Sequence, residues 1–344
     1  MHDVLQPVIG NGVWMGSDLA KTSNWKIELN AKFLHELEVA LSLCKKKQIL
    51  PHQIKPKDFP LPLLSIQLKV LAQEVENGCG FAVIRGIPVQ KYTEEEAKII
   101  SWGICCHFGL AIPQSHQGDW TNHVIDLTDV KTTTDPDLIH VIKRKELRTT
   151  HVGGGLAFHT DTTDVIGLFC LQKAKSGGQS RLASSGMVHN LILEHNPQML
   201  RTLYEGYYYM SHSEDNERAT PRVSSKRVPV FKRKGNAINC YYIPQVIQRA
   251  IDQGKVKYNL IKNEAREQIQ TMANAPGVPF KMTFKAGDLQ LVNNRILLHS
   301  RADYEDFPEL DRRRHLFRLW MATTPEMSSK TFRAPSDRFS YKLD

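Results

Sequence analysis

The sequence predicts an α+β, mainly β fold: an antiparallel double-sheet jelly roll with helices packed on its outside. Three observations predict it. Short apolar segments separated by turn residues fill the second half of the chain. Helical spacing is confined to segments before and between them. The segment Leu289 to Leu298 is apolar on both alternating faces, as a strand covered on both sides must be.

Taken in order, Leu34, Leu37 and Leu41 give helical spacing from Asn30 to about Lys47. Pro51 to Pro62 holds four prolines and is a connector. Leu68, Leu71, Ala72 and Val75 mark an amphipathic helix over about Ile66 to Glu76, stopped by Gly78 and Gly80. Phe81 to Arg85 is a strand. Thr93 with Glu96 is a capping box for a helix running to about Phe108. From Gly109 to Leu156 the pattern weakens into an irregular stretch with a triple glycine, Gly153 to Gly155, expected as a lid or substrate loop, with an ordinary surface excursion holding a short strand as the alternative. Val165 to Leu171 is a strand, Ser176 to Gly178 a turn, and Gln179 to Ala183 another strand. Ser185 is expected to cap a helix from Met187 to about Tyr204. Tyr207 to Met210 and Val228 to Phe231 read as strands, and Pro244 to Gln253 and Tyr258 to Met272 as helices. Phe280 to Phe284 and Leu289 to Leu298 form a hairpin around Lys285 to Asp288. Leu316 to Met321 is the last strand, and a polar tail follows Thr323.

The hydrophobic fraction of 41% supports a sizeable core, and 344 residues fit one large β domain. The net charge is +9, but the basic runs at Lys45 to Lys47, Lys143 to Lys145, Lys232 to Lys234 and Arg312 to Arg314 are short and scattered. They are not interleaved with aromatics, so no nucleic-acid groove is expected. The six cysteines form no C-x-x-C pair, no disulfide framework and no zinc spacing. No apolar run is long enough to span a bilayer, and the N-terminus lacks a secretory pattern. The expectation is a cytoplasmic protein acting on a small molecule, its oligomeric state left open, with a homo-oligomer among the options.

The chemistry lies in His159-Thr160-Asp161. Side chains two apart point to one side of a strand, so this segment offers a metal both an imidazole and a carboxylate. Such a nitrogen-and-oxygen donor set suits ferrous iron better than the thiolate sites typical of structural zinc. A third donor must come from elsewhere, and His299, where the chain leaves its most apolar strand, is the candidate. Alone, an H-x-D tripeptide is weak, and a hydrogen-bonded core histidine is the bland reading of His299. In the final strand Arg314, Leu316, Arg318 and Trp320 share one face. Arg318 sits between apolar neighbours and needs an anionic partner, either a dicarboxylate ligand or an internal acid such as Asp288 or Asp303.

The ordered elements Phe158-His159-Thr-Asp161, Gly177-Gly178-Gln-Ser180, Gly287-Asp288 with Asn294-Arg295 and His299, then Arg314 and Arg318, resemble the taurine dioxygenase and clavaminate synthase-like family. The resemblance implies a double-stranded β-helix (cupin-like) and an Fe(II)- and 2-oxoglutarate-dependent oxygenase, one domain over 1–344. It implies an N-terminal helical, proline-rich extension over 1–62 and a catalytic core over 80–325. It implies iron at His159, Asp161 and His299, with O2 as oxidant. Arg318 is expected on the distal carboxylate of 2-oxoglutarate, with Ser180 helping, and Arg314 nearer the substrate or sharing the co-substrate. The glycines and apolar groups before the metal motif argue against taurine itself.

The cations Arg314, Arg295 and His151 favour a small anionic substrate, an amino acid or secondary-metabolite precursor. Hydroxylation, desaturation and cyclisation all stay open. Halogenation does not, because Asp161 fills the position a halide needs. Three other readings compete: a nucleic-acid- or protein-modifying oxygenase, a jelly-roll binding protein with a degenerate site, and a zinc hydrolase, which leaves Arg318 unexplained.

Overall fold

The computed structural model describes residues 5–115, 118–134, 136–143, 147, 149–210 and 222–324. Helix α1 (Gly16–Leu19) and strand β1 (Lys26–Glu28) lead to α2 (Ala31–Lys47). The Asn30 side chain caps α2 by accepting from the amides of Lys32 and Phe33, and three lysines in the last turn oppose the negative end of its dipole. Helix α3 (Leu64–Asn77) and strand β2 (Phe81–Arg85) follow, then α4 (Glu94–Cys105), which opens on the expected Thr93–Glu96 capping box.

Next come β3 (Leu110–Ile112), β4 (Thr121–Val124), α5 (Pro136–Ile142), β5 (Leu156–His159), β6 (Val165–Gln172), β7 (Ser176–Gly177) and β8 (Ser180–Ser184). The chain continues through α6 (Ser185–His195), α7 (Pro197–Glu205), β9 (Phe231–Lys234), β10 (Ala237–Cys240), α8 (Pro244–Asp252) and α9 (Leu260–Asn274). It closes with β11 (Phe280–Met282), β12 (Leu289–Asn293), β13 (Leu297–Arg301), β14 (Tyr304–Glu305) and β15 (His315–Ala322).

Seven strands form a major sheet in the order β1-β2-β12-β6-β15-β3, with β4 also on β15. Four form a minor sheet, β11-β8-β13-β5. Only β1–β2 is parallel among these pairings. The roll's interior holds Phe81, Ile166, Val292 and Trp320 with Leu182, Phe280 and Leu297. Alternation then sends Phe169, Leu289, Phe317 and Leu319 outward against α2, α3 and α4. The N-terminal helix α2 belongs to that layer through Leu37, Ala40, Leu41 and Cys44. The far face of the minor sheet, through Phe158, Ala183 and Leu298, packs under α6, α7 and α9. The jelly roll with flanking helices is therefore as expected.

Several local expectations are corrected. Leu289 to Leu298 is not one strand: it crosses from the major sheet (β12) to the minor (β13) through a turn in which Asn293 Oδ1 accepts from the Arg295 amide at 3.0 Å. Nor does it form a hairpin with Phe280 to Phe284, because β11 pairs with β8 and β12 with β2 and β6. Gly287 between them has φ +85° and lies against the Ile87 carbonyl so closely that no side chain fits. Ser184, not Ser185, caps α6, and the expected long helix breaks at Asn196, where Pro197 starts α7. Tyr207 to Met210 and Val228 to Phe231 give only single bridges, Tyr207 to Val228 and Met210 to Val223, with the true ladder at β9–β10. The stretch 109–156 is not mainly lid, since β3 and β4 both pair with β15. The tail from 325 onward and part of the 143–145 basic run lie outside the described residues.

Candidate active site

Three donors meet where β5 and β13 lie side by side. His159 ends β5 and pairs directly with His299 of β13. Their rings are 4.2 Å apart between centroids, and Asp161 follows just beyond the strand end. One ligand atom from each of His159, Asp161 and His299 lies within 4.8 Å of the others. His159 and His299 are buried, and the Asp161 side chain is only 10% exposed. The two-residue spacing on one strand face supplies two donors, and the antiparallel register supplies the third.

The protonation state is the one a cation needs. Burial, with His159 adding to it, pushes the His299 imidazole down to about 3. Burial likewise lowers His159. Burial alone would raise the Asp161 carboxyl, but the opposing charges, Arg318 foremost, outweigh it and hold the group below the usual carboxylate range. At neutral pH the cluster is two neutral imidazoles and a carboxylate, with no proton to displace. His159 Nδ1 is 2.8 Å from the Ala157 carbonyl, which fixes that nitrogen as the donor and leaves Nε2 as the ligand. The Asp161 amide donates to Asn294 Oδ1 at 3.1 Å, tying the carboxylate's backbone to the turn before β13. The donor set, two imidazoles and one carboxylate, fits iron(II).

The two arginines differ. Arg318 has partners: Nη1 lies 3.2 Å from Asp161 Oδ1, and Nε donates to Gln114 Oε1 at 2.8 Å. Its internal acid is thus Asp161, not Asp288 or Asp303. Asp288 is held by Arg85 at 2.8 Å, and Asp303 accepts from the Gly155 amide at 2.7 Å. Arg314 is the more deeply buried of the two, yet among the described residues its Nη1 has no hydrogen-bond partner. Its guanidinium stacks near the Tyr304 ring, which Arg301 also approaches. Burial and the neighbouring Arg301 push Arg314 down to about 10. Two buried like charges without a carboxylate hydrogen-bonded to either side chain are costly, and an anion placed there would relieve them. Among the described residues Arg301 bonds only backbone oxygens, Gly154 at 2.8 Å and Val152 at 2.9 Å, and so clamps the glycine segment beside the donors.

Ser180, at the start of β8, is buried and donates to Gln290 Oε1 at 2.8 Å across the roll. Gly178, two residues earlier, packs on Arg314: a Cβ there would lie 3.3 Å from Arg314 Nε. His151 is buried on a short turn next to β4, and Arg295 lies in the turn beside Asn294. Sequence reasoning missed Gln114, Gln290, Asn294's grip on Asp161, and the Arg301 clamp. Gln290 had left one sign, an amide inside an otherwise apolar run.

The family described as taurine catabolism dioxygenase TauD, TfdA matches residues 46–320. The FR-33289 synthase of Streptomyces rubellomurinus is 25% identical over 93% of this chain and 92% of its own length. The taurine hydroxylase-like protein SAT17 of Stachybotrys chartarum is 27% identical over 89% of this chain and 77% of its own. Among solved structures, an asparagine oxygenase in complex with Fe(II), 3-hydroxyasparagine and succinate superposes with a TM-score of 0.66 at 15% identity, covering 87% of this chain and 94% of that one. The non-haem iron oxygenase OrfP in complex with Fe, succinate and dihydroxy-L-Arg gives 0.60 at 12% identity, covering 89% and 98%. Among the described residues, no helix is long and apolar enough to cross a membrane.

Proposed function

The chain belongs to the taurine catabolism dioxygenase TauD, TfdA family, and from that premise we propose that it oxidises an unactivated C–H bond of a small anionic substrate, an amino acid or secondary-metabolite precursor. It is a non-haem iron dioxygenase that consumes 2-oxoglutarate and O2. Iron(II) with these two supplies the oxidative decarboxylation to succinate and CO2 and the oxidising power for the C–H bond. His159, Asp161 and His299 would hold the metal, and their convergence within 4.8 Å is the observation that carries the reading.

The chain's own groups divide the remaining work. Arg314 would hold the distal carboxylate of 2-oxoglutarate, with Ser180 beside it; the buried guanidinium with an unpartnered Nη1 supports this. That reverses the sequence-based preference for Arg318. Arg318, already beside Asp161 and over the Trp320 ring, would orient Asp161 and meet the anionic group of the substrate. The Arg301 and Asp303 contacts to residues 152–155 would keep that segment over the site and help exclude water. An amino-acid substrate draws support from the structural neighbours, whose descriptions name asparagine and arginine derivatives.

The test is anaerobic loading with iron(II), then succinate release from 2-oxoglutarate under air with a panel of amino acids and small carboxylates. The expected result is one iron per chain and succinate formation stimulated by a member of the panel. Failure to bind iron would overturn the reading, as would undiminished turnover in Asp161→Ala.

A further inference from the structure

Gln290 lies in β12 between Leu289 and Leu291, and its side chain is fully buried. It pairs with Val83 on one side and Leu168 on the other, and faces the roll's interior. Two contacts are made by its amide. Oε1 accepts the Ser180 hydroxyl at 2.8 Å, and Nε2 points at the Met282 sulfur at 3.9 Å, a weak acceptor. The amide therefore holds donor capacity in reserve, while Ser180 gives its one proton to Gln290.

That direction matters at a carboxylate site. A carboxylate only accepts, so a serine beside it must donate, and a serine whose proton is engaged elsewhere presents lone pairs instead. The two ends of an amide are nearly the same size, so a half turn about the terminal bond exchanges them with little steric change. After that turn Nε2 donates to Ser180 Oγ, and the hydroxyl proton is released toward a ligand. Arg314, packed on Gly178 two residues before Ser180, supplies the opposing charge.

We propose that Gln290 is a positioning residue that sets the direction of the Ser180 hydroxyl, donating to its oxygen so that its proton reaches the distal carboxylate of 2-oxoglutarate. The inference rests on the reading of the site given above and adds a residue to it. A mere cross-link between the two sheets is the competing role, and it makes different predictions. In Gln290→Glu the ionised side chain keeps an acceptor for Ser180, and so keeps the link, but in that form it cannot donate.

The experiment is calorimetric titration of 2-oxoglutarate into anaerobic iron(II)-loaded protein, with iron content measured in each sample. Wild type, Gln290→Met and Gln290→Glu are compared, each with Ser180 and with Ser180→Ala. Gln290→Met is expected to weaken binding about tenfold, the size of one hydrogen bond. Gln290→Glu is expected to weaken it about a hundredfold, because its carboxylate locks the serine and repels the ligand. In the Ser180→Ala background Gln290→Met adds no further loss, as coupled residues require. Wild-type affinity in Gln290→Glu would overturn the proposal, as would an unchanged Gln290→Met loss in Ser180→Ala. The methionine cycle decides alone should the glutamate variant not fold. No binding of 2-oxoglutarate to iron-loaded wild type would overturn the reading of the site, and this proposal with it.

Discussion

Strand β15 has two imidazoles and a carboxylate beside each of its faces, and the two groups differ in what their donor atoms already bond. Inward, Arg318 and Trp320 contact Asp161, which stands with His159 and His299. Outward, His315 and Phe317 face His123 and, from α4, Glu94 and Lys98. Glu94, His123 and His315 also bring ligand atoms within 4.8 Å of one another, beside a cavity of about 280 Å³ lined by His52, Lys98, Trp102, Trp120 and His123. By donor type and spacing alone, both clusters qualify as metal sites.

Their partners separate them. In the outer cluster His315 Nε2 and His123 Nδ1 bond each other at 2.9 Å, and Lys98 Nζ sits 3.2 Å from Glu94 Oε1. A metal held through His315 Nε2 or His123 Nδ1 would have to break the imidazole pair; the cation beside the carboxylate does not separate the clusters, because Arg318 lies 3.2 Å from Asp161 as Lys98 does from Glu94. In the inner cluster the His159 and His299 rings do not hydrogen-bond each other, and the remaining nitrogen of His159 is held by a backbone carbonyl. The lesson is that a ligand set is defined as much by what its atoms are not already bonded to as by its composition.

Experiments can break or sharpen this contrast. The largest effect is expected from Asp161→Ala: iron content should fall from one per chain toward zero, and 2-oxoglutarate turnover by more than about a hundredfold, exceeding the usual cost of losing an outer-shell partner. Metal analysis of Glu94→Gln with His123→Phe should show iron content equal to wild type, and a drop there would erase the distinction. Arg314→Met should raise KM for 2-oxoglutarate by about ten- to a hundredfold, the range for a hydrogen bond to a charged group. The same change should raise the Tm of the metal-free protein, because it removes a buried cation that lacks an anionic partner. Arg318→Met should instead act mainly on the KM of the substrate.

Asn294→Ala should lower iron affinity about tenfold while leaving the fold intact, as expected for a group that orients a ligand. Direct titration of iron(II) into the anaerobic apoprotein checks it. The smallest effect is on pH stability. Burial and His123 hold the His315 imidazole well below its ordinary value of 6.5. As pH falls through about 6.5 the unfolded chain takes up a proton that the folded one refuses, so stability declines with acidity below that point. Urea titrations from pH 7 to 5 should show a shallower decline in His315→Phe.

Much of this was legible from residues alone. The Thr93–Glu96 box, the Asn30 start, the Gly78 stop and the β2 and β6 strands depend on local chemistry, and local chemistry is written in order along the chain. The segment Leu289 to Leu298 misled because apolar character on both faces means burial on both sides, not continuity. Only Asn293-Asn294-Arg295 hinted at the crossing between sheets. Strands β3 and β4 were lost among polar residues because what stabilises them is pairing with β15, some two hundred positions away.

What the sequence determined by itself was the chemistry available: an imidazole and a carboxylate two apart on one strand, a distant second imidazole, and two arginines on one face of the last strand. Periodicity and residue type carry that information without reference to anything far off. What the tertiary structure decided was which groups are left with unmet bonding capacity. It paired Arg318 with Asp161, left Arg314 Nη1 without a partner, joined Ser180 to Gln290 across the roll, and closed the outer histidines on each other. A residue's partners depend on the register between strands far apart in sequence, and that register exists only once the two sheets have closed on one another.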